Sequence, residues 1–166
     1  MRTKSVILDI DLDYFSFFQK PKNELKHILS WAFCPVDTIV KYHHESYTRW
    51  NQMITAGIIG PPKLIIHVDE HHDMFSDKLP VNSSNFIYFA MKKWSNCRVI
   101  WVIPQPIDNP RMWLSDRSWS SVSSRFKCSP MFNSEWPKPD LITVSKSPDF
   151  IDNNLSQYLL QIIKNI

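Results

Sequence analysis

The stretch Lys63-Leu-Ile-Ile-His-Val-Asp-Glu-His-His-Asp-Met74 constrains this chain most, because it passes without a break from an apolar run to a set of metal-ligating side chains. Leu64, Ile65 and Ile66 predict a short buried strand that ends where the polar residues begin. Asp69, His71 and Asp73 follow at spacing two, and in an extended chain residues so spaced face one side. Two carboxylates and an imidazole on one face suit a divalent cation such as Mn²⁺, Zn²⁺ or Fe²⁺, and an oxygen-rich set favours Mn²⁺ or Mg²⁺. The alternative for such a triplet is a charged, solvated loop at a strand end.

The same pattern recurs twice. Val6-Ile-Leu-Asp-Ile-Asp-Leu-Asp-Tyr-Phe15 reads as a strand with Asp9, Asp11 and Asp13 on one side and Leu8, Ile10 and Leu12 on the other. Three carboxylates in a row repel one another unless a cation or protons intervene, so a metal gives the run a purpose. The competing reading is an edge strand with one wet face. Asp37-Thr-Ile-Val-Lys-Tyr42 is a further strand, followed at once by His43-His44-Glu45. Adjacent histidines face different ways, so one of the two is expected to bind metal: His44 is the first choice and His43 the alternative. In an α/β sheet, sites gather outside the carboxyl ends of strands, which lets three such junctions converge.

The remaining elements alternate. Helices are predicted over Pro21 to Trp31, through Tyr47, Trp50 and Ile54 to a stop at Gly57, and from a cap at Asn82 or Ser83 through Phe86 and Trp94 to near Cys97. Arg98 to Ile103 and Leu141 to Ser145 read as strands, and Ser147-Pro148 is expected to open a last helix through Ile151, Leu155, Leu159 and Ile162. Asp108 to Pro139 shows no clear periodicity and is expected to be a long irregular excursion with one hairpin. The expected fold is α/β, a three-layer, mainly parallel sheet flanked by helices, in a single domain spanning residues 1–166.

Composition narrows function further. A net charge of +3 with mixed signs leaves no electrostatic footprint for nucleic acid. Gly57 and Gly60 are the only glycines, too few to build a phosphate-cradling loop. Cys34, Cys97 and Cys128 are scattered and odd in number, which fits thiols in a reducing compartment. The amino terminus runs into an acid-bearing strand and no apolar stretch approaches about 18 residues, so a soluble cytoplasmic protein without membrane contact is expected.

Asp69-Glu-His-His-Asp73 resembles the Asp-x-His-x-Asp signature of the arginase and agmatinase fold, and Leu8-Asp-Ile-Asp11 is similar to its Asp-Val-Asp strand. Together with His43-His-Glu45 and Ser145-Lys-Ser-Pro-Asp149, these motifs resemble an arginase-like family that includes the peptide arginases of ribosomal peptide natural-product biosynthesis. The likeness spans residues 7 to 149, although the Asp-x-Asp strand here precedes the other motif, the reverse of ordinary arginases. The resemblance implies a compact arginase/deacetylase-like fold and a hydrolase with two Mn²⁺ ions. Such an enzyme converts arginine in a precursor peptide to ornithine and urea. It further implies that Asp9, Asp11, His44, Asp69, His71 and Asp73 ligate metal and that Asp73 relays a proton to the leaving amine. Glu45 is then a second catalytic carboxylate, Asp13 and Asp149 partners for the guanidinium, and His67 or His72 a proton shuttle. Two rivals remain at this stage, a haloacid-dehalogenase-like phosphatase built on Asp9 and Asp11, and a non-catalytic metal-binding interaction module.

Overall fold

A computed structural model describes residues 6–166. Its six strands are β1 Val6–Asp11, β2 Thr38–Val40, β3 Leu64–Val68, β4 Arg98–Val102, β5 Phe126–Ser129 and β6 Leu141–Ser145. They form one sheet in the order β2-β6-β1-β3-β4-β5, and every pairing is parallel. All carboxyl ends therefore open on one side. The chain starts at β1 inside the sheet, runs to β2 at one edge, crosses to β3, β4 and β5, and returns through β6 beside β1. Turns after β1, β3 and β6 are thus neighbours, at the place where α/β sheets open a crevice.

Five helices cover the two faces: α1 Pro21–Ala32, α2 His44–Thr55, α3 Phe86–Lys93, α4 Asp116–Val122 and α5 Asn153–Lys164. Leu8, Ile10, Ile66, Val68, Ile142 and Val144 pack against Leu25 and Ile28 of α1 and Leu159 and Ile163 of α5. The opposite face sets Ile7, Ile65, Val99 and Leu141 against Trp50 and Met53 of α2 and Phe86, Ile87 and Met91 of α3. This is the three-layer α/β arrangement expected from the sequence. Each buried aliphatic side chain contributes about 1.5–3 kcal/mol. The two-residue period of a strand then settles which polar residues join the second face: Asp9, His67 and Thr143 share it with Ile7, Ile65 and Leu141.

Several local expectations are corrected. The excursion from Asp108 to Pro139 holds α4 and a parallel strand, β5, instead of a hairpin. Arg125 makes this possible, donating to the carbonyls of Met91 (3.2 Å) and Cys97 (2.6 Å) around the end of α3 and of Ser121 (3.1 Å) in α4. A cation there also complements the carboxyl end of both helices. The last helix opens at Asn153, where Asp152 accepts from the backbone of Asn154 and Leu155, and not at Ser147-Pro148. Helix α3 starts only at Phe86, because Asn82 turns back to bond Ser84. No helix among the described residues is long and apolar enough to cross a membrane.

Candidate metal centre

Asp9 lies within β1, fully buried, with His67 and Thr143 directly beside it on the adjoining strands. Its Oδ1 accepts from Thr143 Oγ1 at 3.0 Å, and that hydroxyl accepts in turn from Trp50 Nε1 at 3.1 Å. Its Oδ2 accepts from His43 Nε2 at 2.7 Å and His67 Nδ1 at 2.9 Å. Burial raises the pKa of this carboxyl, but His43 and His67 outweigh it and hold the group down at about 2. An ionised Asp9 places the N–H of each imidazole behind the site. The opposite nitrogen of His43, Nδ1, is left to face forward, while His67 Nε2 lies 3.0 Å from the His71 carbonyl oxygen at the edge of the same cluster.

In front of them the acids converge. His43 Nδ1 is 3.1 Å from Asp11 Oδ2, 3.0 Å from Asp69 Oδ2 and 3.1 Å from Asp73 Oδ2. His67 Nε2 is 3.3 Å from Asp69 Oδ2 and 3.6 Å from Asp73 Oδ2. Neighbouring ligands of a six-coordinate cation at about 2.1 Å stand about 3 Å apart, so these spacings match the edges of a coordination shell. Buried His43 Nδ1, Asp13 Oδ2, Asp69 Oδ2 and Asp73 Oδ2 have no hydrogen-bond partner, and such groups are costly in a protein interior unless a ligand satisfies them. The donors form two groups able to hold an ion, His43-His67-Asp69-Asp73 and Asp13-Asp69-His71. Asp69 belongs to both, its Oδ2 toward the first and its Oδ1 3.6 Å from His71 Nδ1.

The electrostatics of the cluster favour a bound positive charge. Burial and the neighbouring Asp69 charge push the carboxyls of Asp11 and Asp73 upward, and Asp13 up to about 8. Asp69 is held well below its ordinary range, because the close approach of His43, His67 and His71 overcomes its burial. His43 is raised well above its usual value by Asp9 and Asp11 against the effect of burial, and His71 is raised to about 11 by Asp13 and Asp69. Protons thus stand where a cation would. Cation binding must displace them, so affinity rises with pH.

The backbone serves the same convergence. The segment after β3 is not extended: Asp73 sits at φ 50°, in the left-handed region. That conformation costs a residue other than glycine about 1 kcal/mol or more and collects at functional sites. It folds the loop so that Asp69, His71 and Asp73 meet across a bend instead of along one strand face.

Of the residues picked out from sequence, Asp11, Asp69, His71 and Asp73 come together here. Asp9, expected to ligate, lies outside both groups and sits behind two imidazoles, since its strand position buries it below the carboxyl end. Asp13, expected to meet substrate, joins a ligand group because a 3-10 turn over Leu12–Phe17 carries it inward. His44 is corrected to His43: successive residues at the start of α2 diverge by about 100°, and His44 Nδ1 instead lies 2.8 Å from Ser83 Oγ. Glu45 is turned away, accepting from the backbone of Lys41 (2.9 Å) and Tyr42 (2.8 Å). Asp149 is exposed and outside the cavity. His67, read only as a proton shuttle, belongs to the first ligand group; its spacing of two from Asp69 was the signal. His72 stacks on Phe75 with centroids 4.2 Å apart and accepts from Met74 N, and burial lowers its pKa to about 4. It packs the loop.

His43→Ala is expected to weaken cation binding by more than about a hundredfold, whereas His44→Ala leaves it within about twofold, as read by titration calorimetry with Mn²⁺.

The acids floor a cavity of about 440 Å³ whose upper wall includes Phe75, Ser83, Ser84, Ser147 and Phe150. Among the described residues, no lysine or arginine lines it. No protein family, curated protein or solved structure matches this chain.

Proposed function

We propose that the protein is a two-metal hydrolase, manganese-dependent, that acts on arginine side chains of a precursor peptide and yields ornithine and urea. The observation that carries this reading is the pair of candidate ligand groups sharing Asp69, bordering a cavity with no lysine or arginine in its lining. The residue types and spacing of the ligating motifs, which resemble those of arginase-like enzymes although their order along the chain is reversed, add the substrate.

A pair of divalent ions supplies Lewis acidity and makes water acidic enough to serve as a nucleophile near neutral pH. The chain's own residues do the rest. Asp11, Asp13, His43, His67, Asp69, His71 and Asp73 would hold the ions, and Asp9 fixes the two inner imidazoles. The water oxygen bonds to the guanidino carbon, the bond from that carbon to the side-chain nitrogen breaks, and a proton passes to the departing amine. Asp73, the last acid of its motif and part of the cavity lining, would relay that proton. Phe75 and Phe150 border the cavity and limit water around the reacting group.

A phosphatase with Asp9 as nucleophile is disfavoured, because both Asp9 oxygens are engaged by three donors beneath the site. Among the described residues, no lysine or arginine lines the cavity to pair with a phosphate.

Incubation of the manganese-loaded protein with arginine-containing peptides tests the reading. Mass spectrometry is expected to show loss of CN₂H₂ per modified arginine, with urea released in equal amount. Unchanged peptides across a broad panel, from a protein holding both ions, would instead identify a non-catalytic metal-binding module.

A further inference from the structure

The three serines of the cavity wall share one feature: each hydroxyl has a side-chain hydrogen-bond partner, and those of Ser84 and Ser147 donate to it. Ser84 Oγ donates to Asn82 Oδ1 at 2.6 Å, and the Ser84 backbone N–H donates to the same oxygen at 2.8 Å. Ser147 Oγ donates to Asp11 Oδ2. Ser83 Oγ lies 2.8 Å from His44 Nδ1. A hydroxyl has a single proton and two lone pairs, so once the proton is engaged the oxygen faces its surroundings as an acceptor. Below these serines lie the carboxylates of Asp11, Asp13, Asp69 and Asp73, which when ionised are also acceptors only.

We infer that Ser83, with its proton held by His44 Nδ1, and Ser84, with its proton held by Asn82, form an acceptor-only wall that selects a group rich in N–H donors and devoid of acceptors. A guanidinium is such a group, with five N–H donors and no acceptor. The ureido group of citrulline has nearly the same shape but puts a carbonyl oxygen in place of one nitrogen. That oxygen would meet a serine oxygen with no proton between them, and an unmatched polar pair in a confined site is penalised. His44 is therefore a positioning residue for Ser83, not a metal ligand.

The inference rests on the guanidinium reading, and its test is arranged so that the two can fail separately. End-labelled arginine and citrulline peptides of one sequence are mixed with manganese-loaded protein, and binding is followed by stopped-flow fluorescence before turnover. Urea release and metal content are recorded in parallel. Charge alone favours arginine in the wild type, so the variants decide.

Ser83→Ala and Ser84→Ala are each expected to weaken arginine-peptide binding about tenfold and citrulline-peptide binding less than about twofold. Ser83→Thr, which keeps the hydroxyl, is expected to retain the preference. His44→Ala leaves Ser83 free to donate and is expected to narrow the arginine-to-citrulline ratio. An unchanged ratio in both alanine variants at full metal content overturns the inference, as does a wild type that binds the two peptides equally. A shifted ratio without urea release removes the hydrolase reading and leaves the acceptor wall. Urea release with an unshifted ratio does the reverse.

Discussion

Asp69→Asn is expected to strip both cations from the protein at once. The Asp69 carboxylate is buried, with Oδ2 3.0 Å from His43 Nδ1 and 3.3 Å from His67 Nε2, and Oδ1 on the side of His71. An amide presents a single oxygen and no charge, so neither donor group keeps its full set. Removing one partner from a buried charged cluster costs about 3–5 kcal/mol, which is a hundredfold or more in affinity. Elemental analysis after dialysis against Mn²⁺ is expected to fall from two ions per chain to none, whereas His71→Ala, which touches only the outer group, leaves one. The metal-free variant is expected to melt below the metal-free wild type. The Asp69 carboxylate is held well below its ordinary range by His43, His67 and His71, so its charge stabilises the fold at neutral pH, although asparagine Oδ1 can still accept from His71 N as the carboxylate does at 2.7 Å.

Asp9→Asn separates an anchor from a ligand. The carboxylate accepts from two imidazoles and a hydroxyl, while the amide that replaces it has two N–H donors and one acceptor. One imidazole must then turn a lone pair toward that amide, which puts its N–H among the acids where a cation should lie. Loss of such a supporting partner lowers metal affinity by about 10–100-fold. Two ions per chain are still expected at saturating Mn²⁺, and nitrogen NMR of the histidines should show one altered tautomer. If Asp9 were itself a ligand, the stoichiometry would fall instead.

Much of this centre is visible in the chain before any coordinates. Apolar runs that end abruptly in acids and histidines mark strands whose carboxyl ends carry chemistry, and those at β1 and β3 do meet. Spacing of two could not separate the alternatives at Asp9-Ile-Asp11-Leu-Asp13, because either Asp-x-Asp pair satisfies the pattern. The choice depends on where β1 stops, and it stops at Asp11, so Asp9 is interior and Asp13 turns inward. His43 and His44 are likewise distinguished only by where α2 begins. The left-handed turn at Asp73 has no signature in a residue that is neither glycine nor asparagine. The excursion before β6 defeated periodicity because α4 and β5 are short, and a long-range cation, Arg125, substitutes for local pattern.

Anomalous scattering at the manganese edge, from a manganese-loaded crystal, tests the shared-carboxylate centre most directly. Two peaks are expected, one among His43, His67 and Asp73 and one between Asp13 and His71, each within bonding distance of one Asp69 oxygen. Manganese bound only at sites remote from Asp69, or no peak at all at saturating Mn²⁺, would contradict it.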